Sequence, residues 1–241
     1  MMGAETVARP APADLPAARP VVPMAAALVA LVVLLLLFLL VGGPAIVLAG
    51  CLVAGFGITY LCGVDLILEE RLAFGTVLGA MAVAAASFVV STVARDVTAL
   101  TVVFGLAAAI AAGAVAAIAG RDRLAADLAD GAARWLRSPR AAGHPWPFAA
   151  VVLVCGAWTL HFLSQAYVYK ADGLWAGYVN IWGDWAAHLS FAGSFAYGHN
   201  FPPEYPIDPG HRLGYPFMID FFAANLVPLG SRLTSALVMT S

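Results

Sequence analysis

The chain has 241 residues, 62% of them hydrophobic and only 11% charged, with a formal net charge of −2 and a mean hydropathy of +0.89. Soluble domains carry about 25% charged residues, so lipid rather than water must be the solvent for most of this sequence. No basic patch is interleaved with aromatics, which argues against a nucleic-acid partner. Cys51, Cys62 and Cys155 lie in apolar runs with neither metal-ligand nor disulfide spacing. The expected fold class is all-α, a polytopic transmembrane helical bundle, because a helix satisfies its own backbone groups in hydrocarbon and an open strand does not.

Residues 1–22 hold Pro10, Pro12, Pro16 and Pro20 among Ala, Asp and Arg, and read as a disordered tail. Five apolar spans follow, at 23–41, 45–64, 72–94, 97–119 and 147–166, each near the ~20 residues a helix needs to cross a bilayer. Gly42-Gly43-Pro44, a polar hinge at 65–71 and the Arg95-Asp96 turn separate the first four, which form an N-terminal transmembrane scaffold over 23–119. The segment 120–146 carries Arg121, Arg123, Arg134, Arg137 and Arg140. Leu124, Leu128, Ala132, Trp135 and Leu136 recur there at helical spacing, which predicts an amphipathic helix in the interface. The positive-inside rule places this segment in the cytoplasm. With four spans before it, the N-terminus is cytoplasmic too, and the loop 167–214 is external. A sixth span is expected to start near Tyr215 and a seventh within 231–241. The chain stops just inside this renewed apolar sequence and is read as the N-terminal part of a longer protein.

The chemistry-bearing residues concentrate in 182–230. Trp185, Leu189, Ala192, Phe195 and Ala196 predict a short helix over 185–197, lying on the outer membrane surface with its aromatic face down and ended by Gly198 as a C-cap. Asp184 precedes it, either as its N-cap or as a general base or metal-binding carboxylate. His188 lies four residues on, hence on the same face. The two could share a metal or bind a phosphate, or His188 could simply be hydrogen-bonded to Asp184. Pro202 and Pro203 fix the backbone twice and put Glu204 and Asp208 in a constrained loop. Each of these, like His199 and His211, reads as solvated when considered alone. Asp220 lies in the apolar segment YPFMIDFFAANL. An ionisable group within a span is a functional hypothesis; the alternative is the wet end of a helix that Pro216 helps start. His161, in the fifth span, reads as buried and hydrogen-bonded.

Taken together, GDWAAHLSFAGSFAYGHNFPPEYPIDPGHRLGYPFMIDFFAANL, with its Asp, surface helix, Pro-rich turn and Gly-x-x-Leu-x-Tyr-Pro, resembles the first external loop of the GT-C superfamily of polytopic glycosyltransferases. VDLILEERLAFGTVLG resembles the N-terminal extensions seen in such proteins. The resemblance covers about one fifth of the chain and implies an integral membrane glycosyltransferase of a prokaryotic cell membrane. A sugar would pass from a polyprenyl-phosphate donor to an acceptor on the extracytoplasmic face, with 147–241 as the start of the catalytic module. It implies Asp184 as catalytic base or metal contact, with His188 beside it and a second acid among Glu204, Asp208 and Asp220. Tyr215 and Arg212 are the implied substrate contacts, and a divalent metal, Mg or Mn, would be held through Asp184 and His188. The family's paired Asp-Glu is Asp184-Trp185 here, which departs from a paired-acid mechanism. The rival readings are a transporter with Asp220 as intramembrane coupling acid and a non-catalytic membrane assembly partner.

Overall fold

Small residues bring the long apolar helices of this chain together. A computed structural model describes residues 42–137, 144–176 and 182–240; the tail 1–22, the predicted span 23–41 and Arg140 lie outside the described residues. The first helix, α1 (Gly43–Ile58), runs on into a 3-10 turn at Thr59–Leu61, and is followed by α2 (Leu68–Ala94) and α3 (Ala99–Ala119). Gly55 of α1 lies against Gly75 and Gly79 of α2, and a Cβ added at Gly79 would overlap the Cys51 carbonyl. Gly57 meets Gly113 of α3 in the same way. Lipid tails are as apolar as Leu, so helices in a membrane associate through such close backbone approach and not through hydrophobic expulsion. Thr98 caps α3 reciprocally: its Oγ1 accepts from the Thr101 N–H at 3.2 Å, and its own N–H donates to Thr101 Oγ1 at 2.9 Å.

At one end of this bundle lies α4 (Arg121–Trp135), the helix expected within the basic segment. Its arginines face acids that the sequence had placed in a hinge. Glu69, Glu70 and Arg71 are in fact the first turn of α2, where Glu70 accepts a hydrogen bond from the Ile67 N–H at 3.0 Å. Arg71 is fully buried. It pairs with Asp127 at 2.7 Å, donates to the Thr59 carbonyl at 3.0 Å and lies 4.3 Å over the Tyr60 ring. Arg134 pairs with Glu69 at 2.8 Å and with Asp130, and the Trp135 indole N–H donates to Glu69 at 3.0 Å. Arg123 pairs with Asp65. The acidic start of α2 and the basic helix therefore latch each other, while Leu128, Trp135 and Leu136 keep an exposed apolar stripe.

The polar loop packs on the opposite end. After α5 (Trp146–Leu163) the chain forms a hairpin of β1 (Tyr167–Lys170) and β2 (Gly173–Ala176), then α6 (Trp182–Gly198). A second hairpin of β3 (Glu204–Tyr205) and β4 (Asp208–Arg212) leads to α7 (Met218–Leu226) and α8 (Leu233–Thr240). Phe88 of α2 meets Phe201, Phe217 and Phe221, with ring centroids 5.2–6.1 Å apart. His199 Nδ1 lies 2.8 Å from the Asp96 carboxylate in the α2–α3 turn.

Four of these helices, α1 with its 3-10 turn, α2, α3 and α5, are long and apolar enough to cross a membrane. The chain is a helical membrane protein with two small hairpins added. Several expectations are corrected. α7 has nine residues and α8 eight. At 1.5 Å per residue α7 is about 14 Å long, against ~30 Å of hydrocarbon, so it does not form the expected sixth span as a crossing helix, while α8 begins within 231–241, where a seventh was expected to open. α6 starts at Trp182, which puts Asp184 in its first turn and not at the N-cap. Its apolar face, Trp185, Phe191, Ala192 and Phe195, is buried in the protein core and not laid on a membrane surface. The left-handed residue after α6 is His199 (φ 50°) and not Gly198. His161 is exposed on α5, with its Nε2 3.0 Å from the Gln165 amide.

Candidate functional site

A cavity of about 280 Å³ lies between α6, α7 and α8. Asp184, Trp185 and His188 line it from α6, Ile219 and Asp220 from α7, and Leu237 and Thr240 from α8. Helical spacing explains the α6 set: Asp184 and His188 are one turn apart on one face. The α7 contribution depends on the tertiary fold. The chain reverses through the second hairpin and brings Asp220 back to α6, where its Oδ1 lies 2.7 Å from His188 Nδ1.

This contact sets the chemistry. A carboxylate accepting from Nδ1–H holds the imidazole in one tautomer and leaves Nε2 with the free lone pair. Asp220 has no exposed surface. Burial pushes its pKa above the usual carboxylate range, opposed by the hydrogen bond and charge of His188. Its second oxygen, Oδ2, has no hydrogen-bond partner in the protein, nor has the indole N–H of Trp185. An unsatisfied buried polar atom costs about 1–3 kcal/mol, and neither atom is accessible to solvent. The Tyr167 hydroxyl donates to the Trp185 carbonyl at 3.0 Å and fixes the first turn of α6. Burial, and then the charge of Asp220, raise the Tyr167 pKa, which keeps it a neutral phenol. The Tyr215 and Phe191 rings stand edge-on to His188 at 6.0 and 6.4 Å.

Of the residues singled out in the sequence, Asp184, His188 and Asp220 come together, and Tyr215 joins them through its ring contact with His188. His188 pairs across the fold with Asp220, not along its helix with Asp184. Glu204, Asp208 and Arg212 lie elsewhere, in the second hairpin, and none lines the cavity. Glu204 accepts from the Gly210 N–H at 3.0 Å and stands opposite Arg212 in the register. Asp208 is exposed, 3.2 Å from His211. Trp185 was legible only as part of an apolar stripe, and nothing in the sequence marked Tyr167.

Among the described residues no group of three or more His, Cys, Asp or Glu is placed to hold a metal ion. Mg and Mn favour octahedral, oxygen-rich donor sets, whereas the pair expected to hold one, Asp184 and His188, offers one carboxylate and the free Nε2. Among the described residues no Lys or Arg lines the cavity, and its two carboxylates and imidazole suit a hydroxyl-bearing group. The arrangement suits proton abstraction from a hydroxyl by an oriented imidazole. Comparison with protein-family models, curated proteins and solved structures finds no match.

Proposed function

We propose that this chain is the N-terminal part of a GT-C-type membrane glycosyltransferase, moving a sugar from a polyprenyl-phosphate donor to an acceptor hydroxyl on the extracytoplasmic face. The observation that carries the reading is the His188–Asp220 pair in a cavity with Asp184 at its exposed edge. His188 Nε2 takes the acceptor's hydroxyl proton as that oxygen bonds to the anomeric carbon, and the bond from that carbon to the phosphate oxygen breaks. The electron pair leaves with the lipid phosphate, and Asp220 stabilises the imidazolium that forms. Asp184 receives hydrogen bonds from sugar or acceptor hydroxyls. This assigns the base to His188 and gives Asp184 a positioning role, because only His188 is oriented by a buried partner. The transporter reading needs Asp220 in mid-span, and the nine-residue α7 does not supply that setting.

The test is transfer from a labelled polyprenyl-phosphate sugar by the full-length protein and by its His188→Gln variant. Gln can still donate to Asp220 but cannot accept the proton. Wild-type turnover by this variant sinks the assignment. The sidedness is tested separately. In a cysteine-free background, Asp172→Cys should react with an impermeant thiol reagent in intact cells and Ser138→Cys should not.

A further inference from the structure

Two walls of the cavity are tied to one strand. Alternate residues of a strand share a face, and β1 turns Tyr167 and Tyr169 the same way. The Tyr167 hydroxyl donates to the Trp185 carbonyl in the first turn of α6 at 3.0 Å. The Tyr169 hydroxyl and Thr234 Oγ1, in the first turn of α8, share a hydrogen bond at 3.3 Å. This second bond is the looser one, and the Tyr169 ring is otherwise exposed. Trp185 lines the cavity from α6, and Leu237, about one turn beyond Thr234, lines it from α8. At about 3.4 Å per residue the two anchor points on β1 are about 7 Å apart. The hairpin is stiffened from its other face. Val168 stands opposite Trp175 in the register, Lys170 Nζ lies 3.7 Å over the Trp175 ring, and the Trp175 indole N–H donates to Asp172 at 2.9 Å. Behind the strand, the Gln165 and Ala166 N–H groups donate to the Phe162 and Leu163 carbonyls, so α5 turns directly into β1.

We infer that the β1–β2 hairpin is a clamp that sets the width of the cavity, with Tyr167 and Tyr169 as positioning residues that act through α6 and α8. A helix as short as α8, with eight residues, is marginal on its own, so its place is fixed by what it touches. If either hydroxyl lets go, Asp184, Trp185 and His188 on α6 shift as a unit against Leu237 and Thr240 on α8. Misplacing reacting groups by about 1 Å costs on the order of 10² in rate. The role belongs to the hydroxyls and not to the bulk of the rings. Tyr167 is buried edge-on against the Trp185 ring, with centroids 5.5 Å apart, and that packing survives loss of its oxygen. The kinetic consequence rests on the reading of the cavity as a transfer site, whereas the clamp itself does not.

The experiment uses the full-length protein in phosphatidylcholine nanodiscs, with two readouts. In a cysteine-free background, spin labels at the exposed positions Ala186 of α6 and Ser235 of α8 report the separation of the two walls by pulsed electron paramagnetic resonance. One narrow distance is expected in the parent protein, and a shifted or broadened one when Tyr167→Phe and Tyr169→Phe are combined. In unlabelled protein, Tyr167→Phe should lower kcat for transfer about tenfold to a hundredfold, with KM within about twofold of the parent. Tyr169→Phe should do the same to a smaller extent. Thr234→Val should match Tyr169→Phe, the two together should be no worse than either alone, as for partners in one bond, and Thr234→Ser should keep the parent values. If Tyr167→Phe fails to fold, Tyr169→Phe decides by the same readouts, because its ring is exposed. Unchanged wall distances in the double Phe variant overturn the clamp, whatever the kinetics show. Unchanged kcat despite moved walls removes the positioning role and spares the transferase reading. Walls that move as expected in a protein without any transfer activity keep the clamp and remove the transferase reading.

Discussion

Both ends of the helical bundle bury charge, and they do so differently. At the α4 end, Arg71 is enclosed by an opposite charge, a carbonyl and a ring face, and Arg134 spans two carboxylates. At the α6–α8 end, Asp220 has one partner, a neutral-or-charged imidazole, and one oxygen left without any. Burying an ion is expensive unless it is paired and hydrogen-bonded. Among the described residues, each end leaves buried polar atoms without a partner, Arg71 Nη2 and Arg134 Nε at the first and Asp220 Oδ2 at the second, and each borders a cavity. The difference is that the first pairs its buried arginines with carboxylates, whereas Asp220 at the second faces only an imidazole. The α4 end accordingly reads as a structural latch and the α6–α8 end as a place for chemistry.

The largest expected effect tests the second half of this contrast. His188→Gln and Asp220→Asn should each lower transfer by the full-length protein about 10²–10⁴-fold, the usual worth of a general base. Thermal unfolding in detergent should remain cooperative. A matched loss of folding would move this pair to the structural side. The latch should show the reverse pattern. Asp127→Ala strands the fully buried Arg71 and should destabilise by about 3–5 kcal/mol, with turnover per folded molecule unchanged. Replacing both partners by Leu should recover much of that loss, because an apolar pair leaves no charge unpaired. If the double variant is as unstable as the single one, the latch depends on geometry and not on charge.

Titration offers a finer separation. The Asp220 pKa is raised by burial, so the folded protein holds this proton more tightly than the unfolded chain. The associated stability is fully present below the ordinary carboxyl value near 4. It falls as pH rises from there through the raised folded value, by up to about 1.4 kcal/mol per pH unit. Denaturation midpoints measured against pH should show this decline in the wild type and a flatter profile in Asp220→Asn. Identical slopes would show that Asp220 is not the group responsible. The smallest effect belongs to the exposed pair of His199 and Asp96. His199→Ala should change stability by less than about 1 kcal/mol, and less still in high salt. A larger loss would mean that the loop depends on this contact more than on the Phe88 cluster.

The long spans were legible from composition because hydrocarbon leaves the backbone only one open structure, the helix. Residues 72–94 and 97–119 correspond closely to α2 and α3, and the amphipathic period of 120–146 appears as α4. Asp184 and His188 were found because helical spacing is local, and Asp220 because a carboxyl in an apolar segment stands out. Other features depended on neighbours distant in sequence. The start of α2 was read as a hinge because its acids look like a solvated turn until Arg71, Arg123 and Arg134 are placed beside Asp127, Asp65 and Glu69. The length of α7 was misread because a run of apolar residues looks alike whether lipid or protein covers it, and here α2, α6 and α8 cover it.

By itself, then, the sequence determined that the chain is helical, that it belongs in a membrane and that its acids and histidines outside the basic segment are concentrated in one stretch near 182–220. These are consequences of local composition and period. Only the tertiary structure decided that Asp220 partners His188 and that Glu204, Asp208 and Arg212 stand apart. Thirty-two residues separate His188 from Asp220, and no periodic pattern reaches across the two chain reversals between them.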